Sequence, residues 1–333
     1  MPAPAYDKTW QFSLDNLLAT SGNSTTDHKS LLLLIKNVMK NGNGQWSTNT
    51  LTVVGSSDGT DFGLDGVDRW ATAANINTNA WLILRDSNAT SKFEILLRYI
   101  SAGGGEGQMQ IHVSRLAGFG AANGGTNGSA TVAPTATDGD VGVSISIMGS
   151  VSAQTSRVYG WRSSDGEFTR IAVRNASGGA WHKHWFWGKP KAPAGGIPDL
   201  WSPPVYYSFS MTSFTSSPEG LTNIRAYKGT TLASAIYTSC SSPNGNIDMN
   251  TGPSSWRSVA QFAAHEVHIH SFAAGVAEAD LGIMWDTYGV TSALVQGEMA
   301  PLSGAKTWAV YGDTSEKWLL PHNNTTLKLS TAP

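Results

Sequence analysis

The residues best suited to chemistry by type and spacing are His265-Glu266-Val267-His268-Ile269-His270. Alternate residues of a strand share a face, so Glu266, His268 and His270 would offer one carboxylate and two imidazoles to a single divalent metal. The same alternation describes a polar, solvent-facing strand face opposite Val267 and Ile269, and that reading is preferred. The sequence therefore assigns no metal, and these three residues are the candidates. His182 and His184 repeat the spacing with less support. A second group is acidic: Asp165, Glu167 and Asp286 sit in turns or beside aromatics, and the two carboxylates of a glycoside hydrolase can come from distant parts of a chain. Asp165 precedes a glycine, however, and backbone geometry explains an Asp-Gly pair unaided. A third group is aromatic. Trp181, Trp185 and Trp187 fall on one face of a strand with Phe186 opposite, and with Trp201 they either fill a core or form a platform for sugar rings or a neighbouring subunit. Core packing is the preferred reading.

Signatures of established catalytic centres are missing. The sequence has no phosphate-binding Walker loop and no H-E-x-x-H, since His265-Glu266 is followed by histidines at the third and fifth positions instead of the fourth. Catalytic and cofactor-binding residues are accordingly assigned as none. The H-x-H resembles the first part of a cupin motif but departs from it directly afterwards, because the next acidic residue past His270 is Glu278 and the glycine spacing differs.

The elements that must position these residues are strands. Between Val141 and Pro190, Val143, Ile145 and Ile147 alternate with small residues, and Arg157 to Trp161 turns through Ser163-Ser164-Asp165-Gly166 into Phe168 to Val173. Asn175 to Gly179 then leads into Trp181 to Trp187, which Pro190 ends. Such a meander needs a second sheet to bury its apolar face. Upstream, Trp81 to Asp86 and Phe93 to Ile100 read as a hairpin, and Ser56 to Gly59 as a turn. Leu31 to Met39 reads either as a helix ended by Asn41-Gly42 or as a strand buried on both faces; the strand is preferred because the next run, Leu51-Thr-Val-Val, is β-branched.

These signals predict an all-β chain, a two-sheet β sandwich of jelly-roll-like build with long Gly/Ser/Pro-rich loops. Residues 1–190 would form the main sandwich, with a Gly-rich exposed loop or arm at 117–140. Residues 191–255 would be a Pro/Ser-rich linker or inserted segment, opening with five prolines between 189 and 204. Residues 256–333 would return as C-terminal strands.

Composition narrows the partners. Charged residues are 14% of the 333, against roughly 25% in ordinary soluble domains, while Gly and Pro number 36 and 14. A net charge of −2 lacks the basic footprint of a nucleic-acid binder. Cys240 stands alone, so no intrachain disulfide can form. The N-terminus lacks the cationic start and apolar run of a secretory signal, and the longest aliphatic run, Leu31 to Ile35, is far too short to span a bilayer. Neither a nucleic acid nor a membrane is expected as a partner.

The order AWLILRD (80–86), FEILLRYI (93–100), GWRSSDGEFTRIAVRN (160–175), WFWGKP (185–190) and WLLP (318–321) resembles tailed-bacteriophage virion proteins of the neck, collar or tail-accessory type. The resemblance covers about residues 80–180 and the last hundred, and lies in composition and rhythm. It implies a non-enzymatic structural protein, made in the host cytoplasm and located in the virion, that assembles with itself and with other virion proteins and needs no cofactor. One alternative is a receptor-binding module for a host surface glycan using Trp181, Trp185, Trp187 or Trp201; another is a metal-dependent or glycoside-hydrolysing enzyme.

Overall fold

The computed structural model describes residues 6–19, 24–86, 93–103, 106–115, 118–121, 125–135, 141–146, 155–175, 181–189, 191, 205–208, 224–228, 231–232, 240–241, 264–273, 276–290, 299–300, 307–312 and 317–322. In chain order, β1 (Trp10–Ala19) leads to α1 (Ser24–Asn41), β2 (Thr52–Ser57), β3 (Phe62–Gly63), β4 (Trp81–Asp86), β5 (Phe93–Gly103), β6 (Glu106–Arg115) and β7 (Val141–Ser146). Then come β8 (Thr155–Ser163), β9 (Phe168–Asn175), β10 (Trp181–Gly188), β11 (Val205–Ser208), β12 (Ile224–Lys228) and β13 (Thr231–Leu232). The last are β14 (Cys240–Ser241), β15 (Ala264–Ala273), β16 (Val276–Val290), β17 (Met299–Ala300), β18 (Thr307–Gly312) and β19 (Lys317–His322).

The all-β class holds. The described strands form three antiparallel sheets, ordered β1-β8-β9-β10-β11-β12-β13, β3-β2-β4-β5-β6-β7 and β14-β15-β16-β19-β18-β17. The first of these is central, because each of its faces is covered by another part of the chain. Val158, Ile171, Val173 and Trp187 share one hydrophobic core with Leu82, Leu84, Ile95 and Leu97 of the second sheet and with Leu31, Leu32, Ile35, Val38 and Met39 of α1. The other face, carrying Tyr159, Trp161, Phe168, Arg170 and Phe186, meets the third sheet: the Trp161 indole donates to the Pro321 carbonyl at 2.9 Å and Arg170 to the Thr287 hydroxyl at 2.6 Å. A sandwich of two sheets was expected; a third sheet makes the central one buried on both sides.

The two hairpins read from sequence are present. β4 and β5 pair from Trp81↔Arg98 to Asp86↔Phe93, and β8 and β9 pair from Ser156↔Asn175 to Arg162↔Thr169. At the β8–β9 turn the Gly166 amide returns to the Ser163 carbonyl at 2.8 Å and the Asp165 carboxylate accepts the Glu167 amide at 3.0 Å, so Asp165 does shape the turn.

Leu31 to Met39 corrects the sequence reading, being helical where a strand was preferred. Leu31, Leu32, Ile35, Val38 and Met39 are all at most 1% exposed, and their spacing of i, i+1, i+4, i+7 and i+8 marks one side of a helix. A start signal was also available in Ser24-Thr25-Thr26-Asp27, with Asp27 in the first turn where an acid favours the helix dipole. The helix ends at the Asn41-Gly42 pair, where Gly42 takes φ 63° and its amide returns to the Val38 carbonyl at 2.8 Å. It seats on the central sheet over Gly160, whose missing Cβ would lie 2.7 Å from Val38 Cγ1.

The Gly-rich loop is a second correction. Its described residues, 118–121 and 125–135, do not stand away as an arm; they cover the outer face of the second sheet. Phe119 and Ala133 are buried with Trp81, Ile83 and Leu96. The Trp81 indole donates to the Ser129 carbonyl at 2.7 Å, the Ser57 hydroxyl donates to the Ala130 carbonyl, and Thr126 bridges Thr135. Trp81, Ile83 and Leu96 face away from the main core, so without this cover the sheet would expose a large apolar strip.

In the stretch expected to be a linker or insertion, β11, β12 and β13 continue the central sheet beyond β10, and β14 pairs with β15.

Candidate functional site

The three acidic residues singled out in the sequence come together at one end of the central sheet. Asp165 and Glu167 arrive on the β8–β9 turn. Asp286 arrives on a break in β16: Glu266 pairs with Tyr288 and His268 with Ile283, so residues 284–287 occupy the space that β15 crosses with Val267 alone. This extra length lifts Asp286 out of the ladder at φ 46°, a left-handed backbone that aspartate tolerates better than most side chains.

Around these acids lies the start of the chain. Asp286 accepts hydrogen bonds from the Asp7 amide at 2.7 Å, the Lys8 amide at 3.0 Å and the Trp10 indole at 2.7 Å. The Lys8 ammonium lies 2.5 Å from Asp165 and 2.7 Å from Glu167, and 4.5 Å from the centre of the Trp285 ring. Lys191 pairs with the Asp7 carboxylate at 2.7 Å and exchanges backbone hydrogen bonds with Ile283, while the Trp285 indole donates to the Lys189 carbonyl at 2.8 Å.

The electrostatics follow from burial set against pairing. Burial alone would lower the Lys8 pKa, but hydrogen bonds and charge from Asp165 and Glu167 outweigh it and raise it. Burial likewise works to raise Asp165, and the Lys8 partner more than reverses it, so the carboxyl titrates below its ordinary range. Asp286 is different: burial raises its pKa despite the opposing amides of Asp7 and Lys8 and the indole of Trp10.

Hydrolysis by two carboxylates requires one proton-bearing acid and one free base or nucleophile beside open space for the sugar. Here Asp165 and Glu167 share one ammonium, and Asp286 is 3% exposed with both oxygens occupied by donors from its own chain. As placed, this constellation fastens the N-terminal segment to the third sheet.

For the metal candidates, the backbone of Glu266, His268 and His270 lies on β15, and their side chains fall outside the described residues. Among the described residues no group of three or more His, Cys, Asp or Glu side chains is arranged to hold a metal. The tryptophan set divides. Trp187 is 2% exposed, packed in the main core, and its indole donates to Asp86 at 3.1 Å, so it is no sugar platform. The side chains of Trp181 and Trp185, and also of His182 and His184, lie outside the described residues, as does the whole of Trp201. Along the backbone of β10, Trp181 pairs with Arg174 while Lys183 pairs with Val173, a shift of register, and Trp185 and Trp187 pair with Ile171 and Thr169.

Sequence reasoning missed the polar group at the heart of the sandwich. Arg162 and Asp86, each 1% exposed, form a two-pronged ion pair at 2.8 and 2.9 Å, with Thr169 and Trp187 completing the network. Position in the hairpins was the available signal: each residue falls at a strand end on the alternation that faces inward.

No family model matches the chain, and neither the curated proteins nor the solved structures contain a match to it. Its class is thus defined by its own build: antiparallel β throughout, three sheets, and one helix of substantial length among the described residues. No described helix is long and apolar enough to cross a membrane.

Proposed function

We propose that this chain is a non-enzymatic structural component of a tailed-phage particle, placed in the neck or collar, in the tail or against the capsid. In this reading it is made in the host cytoplasm, resides in the virion, and assembles with copies of itself and with other virion proteins through sheet and loop contacts. The observation that carries the reading is the use made of reactive side chains: Asp165, Glu167 and Asp286 each hold one part of the chain to another. Low charge and a Gly-rich loop lying on a sheet agree with a protein whose task is to present extended β surface. The neighbours in β4-β5-β6-β7 and β8-β9-β10 are sequential, as in meanders, and so lend no support to a jelly-roll-like wiring.

Light scattering on the native protein, followed by imaging of the same fraction and a search for the chain in purified particles, tests the proposal. A regular oligomer and a fixed copy number per particle are expected. A protein that stays monomeric and never copurifies with particles would overturn it. Stoichiometric metal lost on replacing His268 and His270, or tryptophan fluorescence that responds to oligosaccharides, would favour an enzyme or a glycan-binding module instead.

A further inference from the structure

We infer that residues 6–10 are a strap that latches the third sheet to the central one, with Asp286 as its catch. Tyr6, Asp7 and Lys8 reach by polar contact to residues far away in sequence. The Tyr6 hydroxyl donates to the His322 carbonyl and accepts from the His322 amide, both at 3.2 Å, which ties the segment to the end of β19. Asp7 and Lys8 give their backbone amides to Asp286 on the β16 break, and their side chains reach Lys191 in one case and Asp165 and Glu167 in the other. One short segment thus joins β16 and β19 of the third sheet to the β8–β9 turn of the central sheet.

The strap is held by polar groups. Among residues 6–10 only Trp10 belongs to the buried hydrophobic set, and its indole is itself a donor to Asp286. Each hydrogen bond contributes little net of its exchange with water, whereas the sandwich beneath rests on buried carbon, so the strap can release without the sandwich melting. Release would uncover the Trp285 ring and the Asp165 and Glu167 carboxylates together. Asp286 is the catch because three donors converge on it: removing its second acceptor oxygen places an amide N–H against at least one of them.

Hydrogen exchange on the full chain tests this, comparing wild type, Asp286→Asn and Lys8→Met. In the wild type the amides of residues 7 and 8 should exchange faster than those of β9 while remaining protected relative to a free peptide. Asp286→Asn should speed exchange at residues 7 and 8 about tenfold, and speed tryptic cleavage after Lys8, with β9 and α1 unchanged. Lys8→Met should speed residues 7 and 8 by a smaller factor and carries the test should Asp286→Asn fail to fold. The inference is overturned if residues 7 and 8 exchange at the β9 rate in every variant, or if they speed up only together with β9, since the segment would then belong to the global fold.

Discussion

The two faces of the central sheet are built from the same strands and solve burial in opposite ways. Towards the helix and the second sheet, Val158, Ile171 and Val173 meet Leu, Ile and Val side chains, and one ion pair, Arg162 with Asp86, is sealed among them. Towards the third sheet the contact is aromatic and polar. Trp10 meets Phe168 edge-on at 6.3 Å, Phe168 stacks on Phe186 at 5.9 Å, and Tyr159 on Trp161 at 6.0 Å. The indoles of Trp10 and Trp161 and the guanidinium of Arg170 then reach across to acceptors at Asp286, Pro321 and Thr287. Aliphatic contact is non-directional and depends on area, so the first face should resist everything except cavities and orphaned charge. Rings with polar edges require particular acceptors, and the second face should be sensitive to pH and to single-atom changes.

Four measurements by chemical denaturation would break or sharpen that contrast. Asp86→Ala should be the most damaging, at about 3–5 kcal/mol, because it leaves the Arg162 guanidinium buried without its carboxylate. The double change Asp86→Leu with Arg162→Met should recover most of the loss; a single variant costing under about 1 kcal/mol would mean the ion pair is reached by water. Leu82→Ala, deep in the same core, should cost about 3 kcal/mol through lost burial and a residual cavity. A matching loss in the slope of unfolding against denaturant would indicate instead that the second sheet had already detached.

The third measurement concerns His322, on the polar face. Burial pulls its pKa down to about 4, against an opposing contribution from Asp15. The folded state therefore holds fewer protons than the unfolded chain between about pH 6.5 and 4. Its contribution to stability is fully present above that window, shrinks as pH falls through it, and reaches a loss on the order of 3 kcal/mol at its acid end. His322→Asn should flatten this part of the pH profile; identical profiles for the two proteins would place the acid sensitivity elsewhere. The smallest effect belongs to Thr287→Val, which removes one acceptor from Arg170 and should cost about 1–2 kcal/mol without shifting the protection of α1.

The sequence was most legible where local chemistry and burial agree. Trp81–Asp86 with Phe93 onward, and the Ser163–Gly166 turn into Phe168, are hairpins whose strands pair with near neighbours, so alternation and turn residues sufficed. It misled where one run fits two periods. Leu31 to Ile35 is apolar at every position, and only the extension to Val38 and Met39, with Lys36 held by Asp68 and the Trp70 carbonyl, separates a helix from a doubly buried strand. The register shift in β10 was not legible, because a single inserted residue in the pairing leaves no mark in composition. In the candidate site the acids Asp165, Glu167 and Asp286 were visible as residue types, but Lys8 drew no notice, lying 157 residues from its first partner.

By itself, then, the sequence determined the β character, the hairpins and the scarcity of charge, since each depends on residues within a few positions of one another. Tertiary structure alone decided that the central sheet is buried twice, that the Gly-rich loop lies on the Trp81 face, and that three candidate catalytic acids serve as anchors for the N-terminal segment. Those outcomes rest on contacts between residues 48 to 316 positions apart. No local pattern encodes such contacts, because what selects them is the complementarity of whole faces once the sheets have formed.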